Sequence, residues 1–327
     1  MRRKLRDQMP KKRNKKHFVV IGGGTGTFTV LTALKKYPVK LSAIVSMADD
    51  GKSTGVLRDQ YGVLPPGDVR RALVALSEDS SLMRKLFEYR FENGDFAGHN
   101  VGNLFLSALE KITGNFAEAV EESSKILNIK GKVIPVTLDN VRLYAGLLDG
   151  TVIKGETNID IPKAGKKRAP IEDIWLEPSA KIHEVAREVI LDADVIVIGP
   201  GDLYTSLIPN FLVRGVCDAI LCSDAKKVYI CNLMTKFGET DGFGAEQFIY
   251  KIEKYAGKNT LDFVLCNARK PSDRVLQEYQ KEGSEFVDFS ELDRFKAKPK
   301  IILENFMQEG SLVRHNPEKL AEVLLKI

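Results

Sequence analysis

Residues 17 to 36 read HFVVIGGGTGTFTVLTALKK, and the character of the chain changes halfway along that stretch. From His17 to Ile21 the residues are β-branched or aromatic without alternation, the pattern of a strand covered on both faces. The run stops at Gly22-Gly23-Gly24-Thr25-Gly26-Thr27, and over 27–36 the apolar spacing becomes helical. A strand that enters a glycine turn and then a helix gathers free backbone N–H groups at the positive helix end, where glycine lets phosphate oxygens approach the backbone. A phosphate or nucleotide cradle is therefore expected at residues 22–27, with a purely structural tight turn as the alternative. The strict dinucleotide fingerprint fails, because the position three beyond Gly24 is Thr27, so NAD is not implied.

Beyond this stretch the same alternation recurs. Further strands are expected at 41–47, 132–137, 194–198, 227–232 and 261–267, and helices at 68–76, 82–91, 101–112, 116–127, 180–191, 245–254 and 273–281. A closing amphipathic helix follows at 317–327, with Leu320, Val323 and Leu324 on one face. Strands alternating with helices predict an α/β fold: a doubly wound, mainly parallel, Rossmann-like sheet with helices on both faces. Residues 141–159 break the alternation and read as two strands around Asp149-Gly150, a β-hairpin excursion within about 138–162. The run PKAGKKRAP at 162–170 reads as an exposed basic loop. No internal repeat is present. Residues 1–16 are expected to form a disordered basic tail, and 17–327 a single nucleotide-binding domain.

In a parallel sheet the strand ends share one edge, and polar turns follow several of them. After the second strand comes Ala48-Asp49-Asp50-Gly51-Lys52-Ser53-Thr54-Gly55. Asp49 and Asp50 are the candidate catalytic acids, because a carboxylate there can accept from a ribose hydroxyl or hold a divalent cation; at most one of two consecutive acids is expected to face a ligand. The run resembles a P-loop ending, but the required earlier glycine is Ser46, so the Walker motif is absent. After the fourth strand, Gly199-Pro200-Gly201-Asp202-Leu203-Tyr204-Thr205-Ser206 offers N–H groups and hydroxyls, and two anion-suited turns on one edge fit a diphosphate. Asp68 and Arg70 open a helix, where a capping acid and a solvated arginine are the alternative reading. Asn100 and Asn103 can read a sugar or base edge, though capping alone explains Asn100. The fifth strand runs into Asn232-Leu233-Met234-Thr235 and then GETDG at 238–242.

Composition narrows the rest. The chain has 327 residues, 28% charged and 43% hydrophobic, which excludes a wholly disordered or fibrous protein. Its net charge of +5 divides unevenly, for residues 1–16 hold nine basic side chains and one acid, leaving the remainder at −3. No apolar window approaches the roughly 20 residues of a membrane span. The apolar run behind the basic start ends at once in glycines, so no signal peptide is expected and the location reads as cytoplasmic. Cys217, Cys222, Cys231 and Cys266 lack metal or redox spacing, and His17, His99, His183 and His315 are not spaced for a metal. His183 is expected on a helix surface. No nucleophile elbow is present, so any chemistry would proceed by positioning and charge stabilisation.

Taken together, GGGTG, ADDG, PPGDVR, GHNVGN, GPGDLYTS, CNLMT and GETDG, in that order from residue 17 to the C-terminus, resemble the gluconeogenesis factor (YvcK-like) family of bacteria, within the CofD-like superfamily of 2-phospho-L-lactate transferase. The resemblance implies a cytoplasmic protein needed for cell shape and for growth on gluconeogenic carbon sources. It also implies binding of a UDP-sugar, notably UDP-N-acetylglucosamine, across residues 22–27, Asp49, Asn100, Asn103 and 199–206. Tyr279 and Arg314 are associated with nucleotide-sugar binding by the same resemblance, and a guanidinium at Arg314 could also grip a diphosphate bidentately. Two departures stand out: Lys52 intrudes in the ADDG turn, and Asp202 replaces a serine. An acid beside a diphosphate is unfavourable unless it faces solvent or Mg²⁺.

Two further functions stay open. One is a CofD-like transferase that moves a phospholactyl-type group from a nucleotide diphosphate donor to an alcohol, which would require Mg²⁺; no metal ligand is otherwise assigned. The other is nucleic-acid binding through the basic tail, which the body supports with no RNA-binding signature. Membrane insertion is not expected, and self-association is left open.

Overall fold

The computed structural model describes residues 15–78, 82–162, 168–292, 295, 298–308, 310 and 312–327. Residues 1–14 of the tail and most of the basic loop lie outside them. The first half of the chain runs β1 (His17–Gly22), α1 (Gly24–Leu34), β2 (Lys40–Val45), α2 (Lys52–Tyr61), α3 (Gly67–Leu76), α4 (Leu82–Glu88), α5 (Val101–Thr113), α6 (Phe116–Ile126) and β3 (Lys132–Pro135). An insertion follows: β4 (Arg142–Leu147), β5 (Val152–Lys154), α7 (Glu156–Asp160) and β6 (Ile171–Glu177). The second half contains α8 (Glu184–Leu191), β7 (Val195–Ile198), a π-helical turn (Leu203–Leu207), α9 (Ile208–Phe211), α10 (Val216–Cys222), β8 (Lys226–Ile230), α11 (Ala245–Ala256), β9 (Phe263–Asn267), α12 (Asp273–Lys281), β10 (Lys300–Glu304), β11 (Met307–Gln308), β12 (Arg314–His315) and α13 (Pro317–Lys326).

Seven strands form one parallel sheet in the order β10-β9-β8-β7-β1-β2-β3. Central β1 is buried along its length, as the unbroken apolar run requires, and pairs Phe18 with Leu41 on one side and with Val195 on the other. Leaving the centre in opposite directions, right-handed crossovers deliver helices to opposite faces. Accordingly α1 packs with α3 and α13, while α10 packs with α8, α9 and α11. This is the expected doubly wound α/β architecture.

The excursion differs in detail. The hairpin β4–β5 forms around Asp149-Gly150, with Gly150 at φ +83° and the Asp149 carboxylate accepting from Thr151 N–H at 2.9 Å. Residues 156–160, however, are helical rather than strand, because both oxygens of Asp50 accept the first N–H groups of α7, at 3.1 Å from Glu156 and 2.8 Å from Thr157. A third strand, β6, pairs antiparallel with β4. Helix α2 was also not expected, since Gly51, Ser53, Thr54 and Gly55 are weak helix formers. It is held by Arg58, which is 2% exposed and donates to the Asp49 carbonyl at 2.8 Å, to Asn140 Oδ1 at 2.7 Å and to the Val141 carbonyl. Edge strand β10 was missed as well; three of its five residues are only partly covered. His183 caps α8 and is half-buried, its Nδ1 shielded without a partner, rather than lying on an open surface.

Candidate functional site

From the centre, β1-β2-β3 leads one way and β7-β8-β9-β10 the other, so the chain order reverses between β1 and β7. Open α/β sheets form their binding crevice beyond the carboxyl ends of the strands at such a switch. The turns after β1 and β7 both lie there and touch. A Cβ on Gly26 would collide with the Pro200 carbonyl, and one on Gly23 with the Asp68 carboxylate. Helix α1 begins at Gly24, with φ +66°, so residues 24–27 are its first turn, and Gly24 N–H donates to Asp68 Oδ1 at 3.0 Å.

Gly23, Gly24, Thr25, Gly26, Gly201, Thr205 and Ser206 line a cavity of about 500 Å³. The other expected residues of these turns stand behind it. Gly22 backs onto Thr27, which is buried, and Gly199 with Pro200 supports the turn. Leu203 and Tyr204 point into the core at 1% and 0% exposure. Asn232 braces the turn by donating to the Gly201 carbonyl at 2.9 Å. Thr235 exchanges bonds with Glu285 at 2.7 and 2.8 Å and is not among the cavity residues.

Asp49 and Asp50 diverge. Asp49 lines the cavity and accepts from Gly51 N–H and Thr54 Oγ1, each at 2.9 Å, whereas Asp50 caps α7. Asp68, Glu156, Asp160 and Asp202 join Asp49 on the wall, against the bases Lys52 and Arg71. Burial, reinforced by Asp49, raises the Asp68 carboxyl to about 6. Burial with Asp49 and Asp160 nearby raises Glu156 to about 9. The unexpected Asp202 is neutralised by Lys236, whose Nζ lies 2.9 Å from it, 3.4 Å from buried Glu239 and in contact with Asp160. Burial would lower Lys236, but Glu239, Asp202 and Asp160 together hold it above the ordinary lysine range. Among the described residues no cluster of three or more His, Cys, Asp or Glu is arranged for a metal ion.

Two further cavities adjoin, and Arg71 lines all three. One, of about 390 Å³, is bounded by Arg70 and Asn103, which are joined by Arg70 Nε donating to Asn103 Oδ1 at 2.9 Å. Asn100 is spent as the α5 cap: its Oδ1 accepts from Asn103 N–H at 3.2 Å and its Nδ2 donates to the Glu88 carbonyl at 3.0 Å. The other, about 750 Å³, lies between α1 and the β11–β12 hairpin and is lined by Phe28, Thr29, Thr32, Gln308, Leu312 and Arg314 among others. Tyr279 does not reach it; its hydroxyl accepts from Val313 N–H at 2.9 Å and so anchors the strand that carries Arg314. Beside Arg314, His315 is driven by burial down to about 4 and donates from Nε2 to the Cys231 carbonyl at 3.1 Å. Arg71, Glu156, Asp160 and Lys236 were missed from sequence. Arg71 was findable, three residues after Asp68 on one helix face, whereas Glu156 and Asp160 arrive from the insertion without any local signal.

A doubly wound parallel sheet with a glycine-lined cavity at its switch point defines the class, an α/β protein of Rossmann-like fold. The profile described as 2-phospho-L-lactate transferase CofD matches residues 18–307. The chain is 45% identical to the gluconeogenesis factor of Halalkalibacterium halodurans, over 95% of this chain and 96% of that protein. It is 39% identical to the gluconeogenesis factor of Bacillus subtilis, over 96% and 98%. A crystal structure of a UPF0052 family member from Bacillus halodurans superposes with a TM-score of 0.90 at 44% identity, covering 96% of this chain and 99% of that one. The chain belongs to the CofD family, in the branch of the gluconeogenesis factors. No helix among the described residues is long and apolar enough to cross a membrane.

Proposed function

We propose that this protein is a cytoplasmic regulatory protein that binds a nucleotide-sugar of the UDP-N-acetylglucosamine type and couples that ligand to cell shape and to growth on gluconeogenic carbon, with residues 17–327 acting as one binding unit. The observation that carries the reading is the position of Arg71 at the junction of three cavities, beside the first turn of α1. A diphosphate at that junction would meet backbone N–H groups and a guanidinium. A uridine would extend toward the neutral wall of Phe28, Thr29, Thr32 and Gln308, under Arg314. The sugar hydroxyls would donate to the carboxylates of the acid-lined cavity. Calorimetry with UDP-N-acetylglucosamine is expected to give saturable binding without release of UDP; absence of heat with any UDP-sugar would overturn the reading.

One observation favours a second reading, a phospholactyl-type transferase. Asp68 and Glu156 face the same cavity with carboxyl groups held at about 6 and about 9, so near neutrality one is mostly ionised and the other protonated. Such a division suits removing a proton from an attacking alcohol while a neighbour donates. Under this reading Mg²⁺ would accompany the diphosphate donor. Incubation of a nucleotide diphosphate donor with an alcohol acceptor, with and without Mg²⁺, decides between transfer and simple binding.

A further inference from the structure

The cavity of about 390 Å³ beside Asp49 is opposite in charge to the acid-lined cavity at α1. Lys52, Arg70, Arg71 and Arg90 line it against the single acid Asp49, which already accepts two hydrogen bonds. Arg70 is only 8% exposed, and no carboxylate of the described residues forms an ion pair with it. Its hydrogen-bond acceptors are neutral: Asn103 Oδ1 at 2.9 Å and the Phe87 carbonyl at 3.4 Å. Burial lowers Arg70 to about 10, with Arg71 and Arg90 adding their repulsion and Asp49 and Asp68 offsetting only part of it. A buried cation without a counter-ion is costly, and adding like charges raises that cost.

The local sequence builds this arrangement. Gly102 lacks a Cβ, which would stand 2.7 Å from Arg70 Cδ, so the arginine stem passes along α5 only because that position is glycine. Helix α2 opens into the same cavity at Gly51, which provides no side-chain cap, so its first-turn N–H groups and the positive end of a ten-residue helix face the cations. Ser53 sits there with its hydroxyl 3.3 Å from His99 Nδ1.

We propose that this cavity is a second anion subsite, distinct from the cradle at α1, which takes the phosphate group of a small phosphorylated metabolite. Three guanidiniums and an ammonium around one compact space suit a dianionic, tetrahedral group, whose oxygens accept several charge-assisted hydrogen bonds at once. The inference does not depend on the nucleotide-sugar reading, because it rests on the four cations gathered around this one cavity and on a buried Arg70 that no carboxylate of the described residues pairs. Since Asp49, Lys52 and Arg71 border both spaces, a bound phosphate would stand directly beside the ligand at α1, as an effector or a second reactant.

Calorimetry of the full chain with inorganic phosphate, against sodium chloride at matched ionic strength, tests it. Arg90 is exposed and borders only this cavity, so Arg90→Gln is expected to fold normally and to weaken phosphate binding about tenfold, the loss of one charge-assisted contact. UDP-N-acetylglucosamine binding by Arg90→Gln should be unchanged, and phosphate should still bind when that ligand is saturating. No phosphate binding up to about 10 mM, an unchanged affinity in Arg90→Gln, or strict competition between the two ligands would each overturn the proposal. Should UDP-N-acetylglucosamine itself fail to bind, the phosphate titrations still decide this inference, and the two failures remain separate.

Discussion

Glu156 is a carboxylic acid placed where its charged form is least welcome, partly buried among Asp49, Asp160, Asp68 and Asp50 and raised to about 9. In the unfolded chain it would titrate near its ordinary value of 4.5. Between those two values the folded protein holds a proton that the unfolded chain has released, so stability falls as pH rises through that window. Buried Glu239, raised to about 8, acts in the same direction. Glu156→Gln removes one source of the slope. It is expected to raise stability at pH 8 by about 1 to 3 kcal/mol while changing little at pH 4.5, as urea unfolding at the two pH values would report. The opposite result is expected at Arg58, whose guanidinium is buried and bonded to three carbonyl-type oxygens that connect α2 to the segment before β4. Arg58→Met leaves those acceptors unsatisfied and should lower stability by about 3 kcal/mol in the same assay.

Helix α12 contributes to the site without touching it. Its Tyr279 hydroxyl accepts from Val313 N–H, one residue before Arg314, so the helix sets where the β11–β12 hairpin presents its guanidinium. Tyr279→Phe deletes one neutral hydrogen bond, about 1 kcal/mol. Expected are a roughly fivefold weaker affinity for UDP-N-acetylglucosamine in calorimetry and a melting temperature within about 2 °C of the unmodified protein. The elements that sequence reading recovered are those whose own residues dictate them. The strands at 17–22 and 195–198 are apolar throughout because both faces are covered, and the helices from 101 and 116 open on asparagine caps. The elements it missed depend on distant partners. Helix α2 exists through Arg58 and its contacts some 80 residues onward, and α7 exists because Asp50, about 106 residues earlier, caps it. The site divides likewise. Its glycine turns are readable as motifs, whereas Glu156 and Asp160 are brought to it by tertiary structure, and Leu203, Tyr204 and Thr235 within or after the motifs are buried and do not line the cavity.

Charge and topology together bear on how the proposed diphosphate ligand would be held. Outside residues 1–16 the chain is net negative, at −3, so its overall field does not draw a diphosphate in. For the proposed ligand, attraction would come from donors concentrated where the sheet order reverses between β1 and β7, and those donors depend on the two glycine turns lying against each other. Gly26→Ala tests that dependence directly, for the added methyl would strike the Pro200 carbonyl, and rigid backbone must shift on one side or the other. With UDP-N-acetylglucosamine at about 100 times its Kd, linkage adds about 2.7 kcal/mol to the native protein, a rise in melting temperature of about 4 °C for a chain of this size. Gly26→Ala is expected to lose that rise and to cost about 1 to 3 kcal/mol without ligand, as overpacking does. Removing residues 1–14, with seven of the nine tail basic side chains, should leave the rise intact. If the shortened chain lost the rise and Gly26→Ala kept it, the basic tail and not the switch-point turns would be holding the ligand.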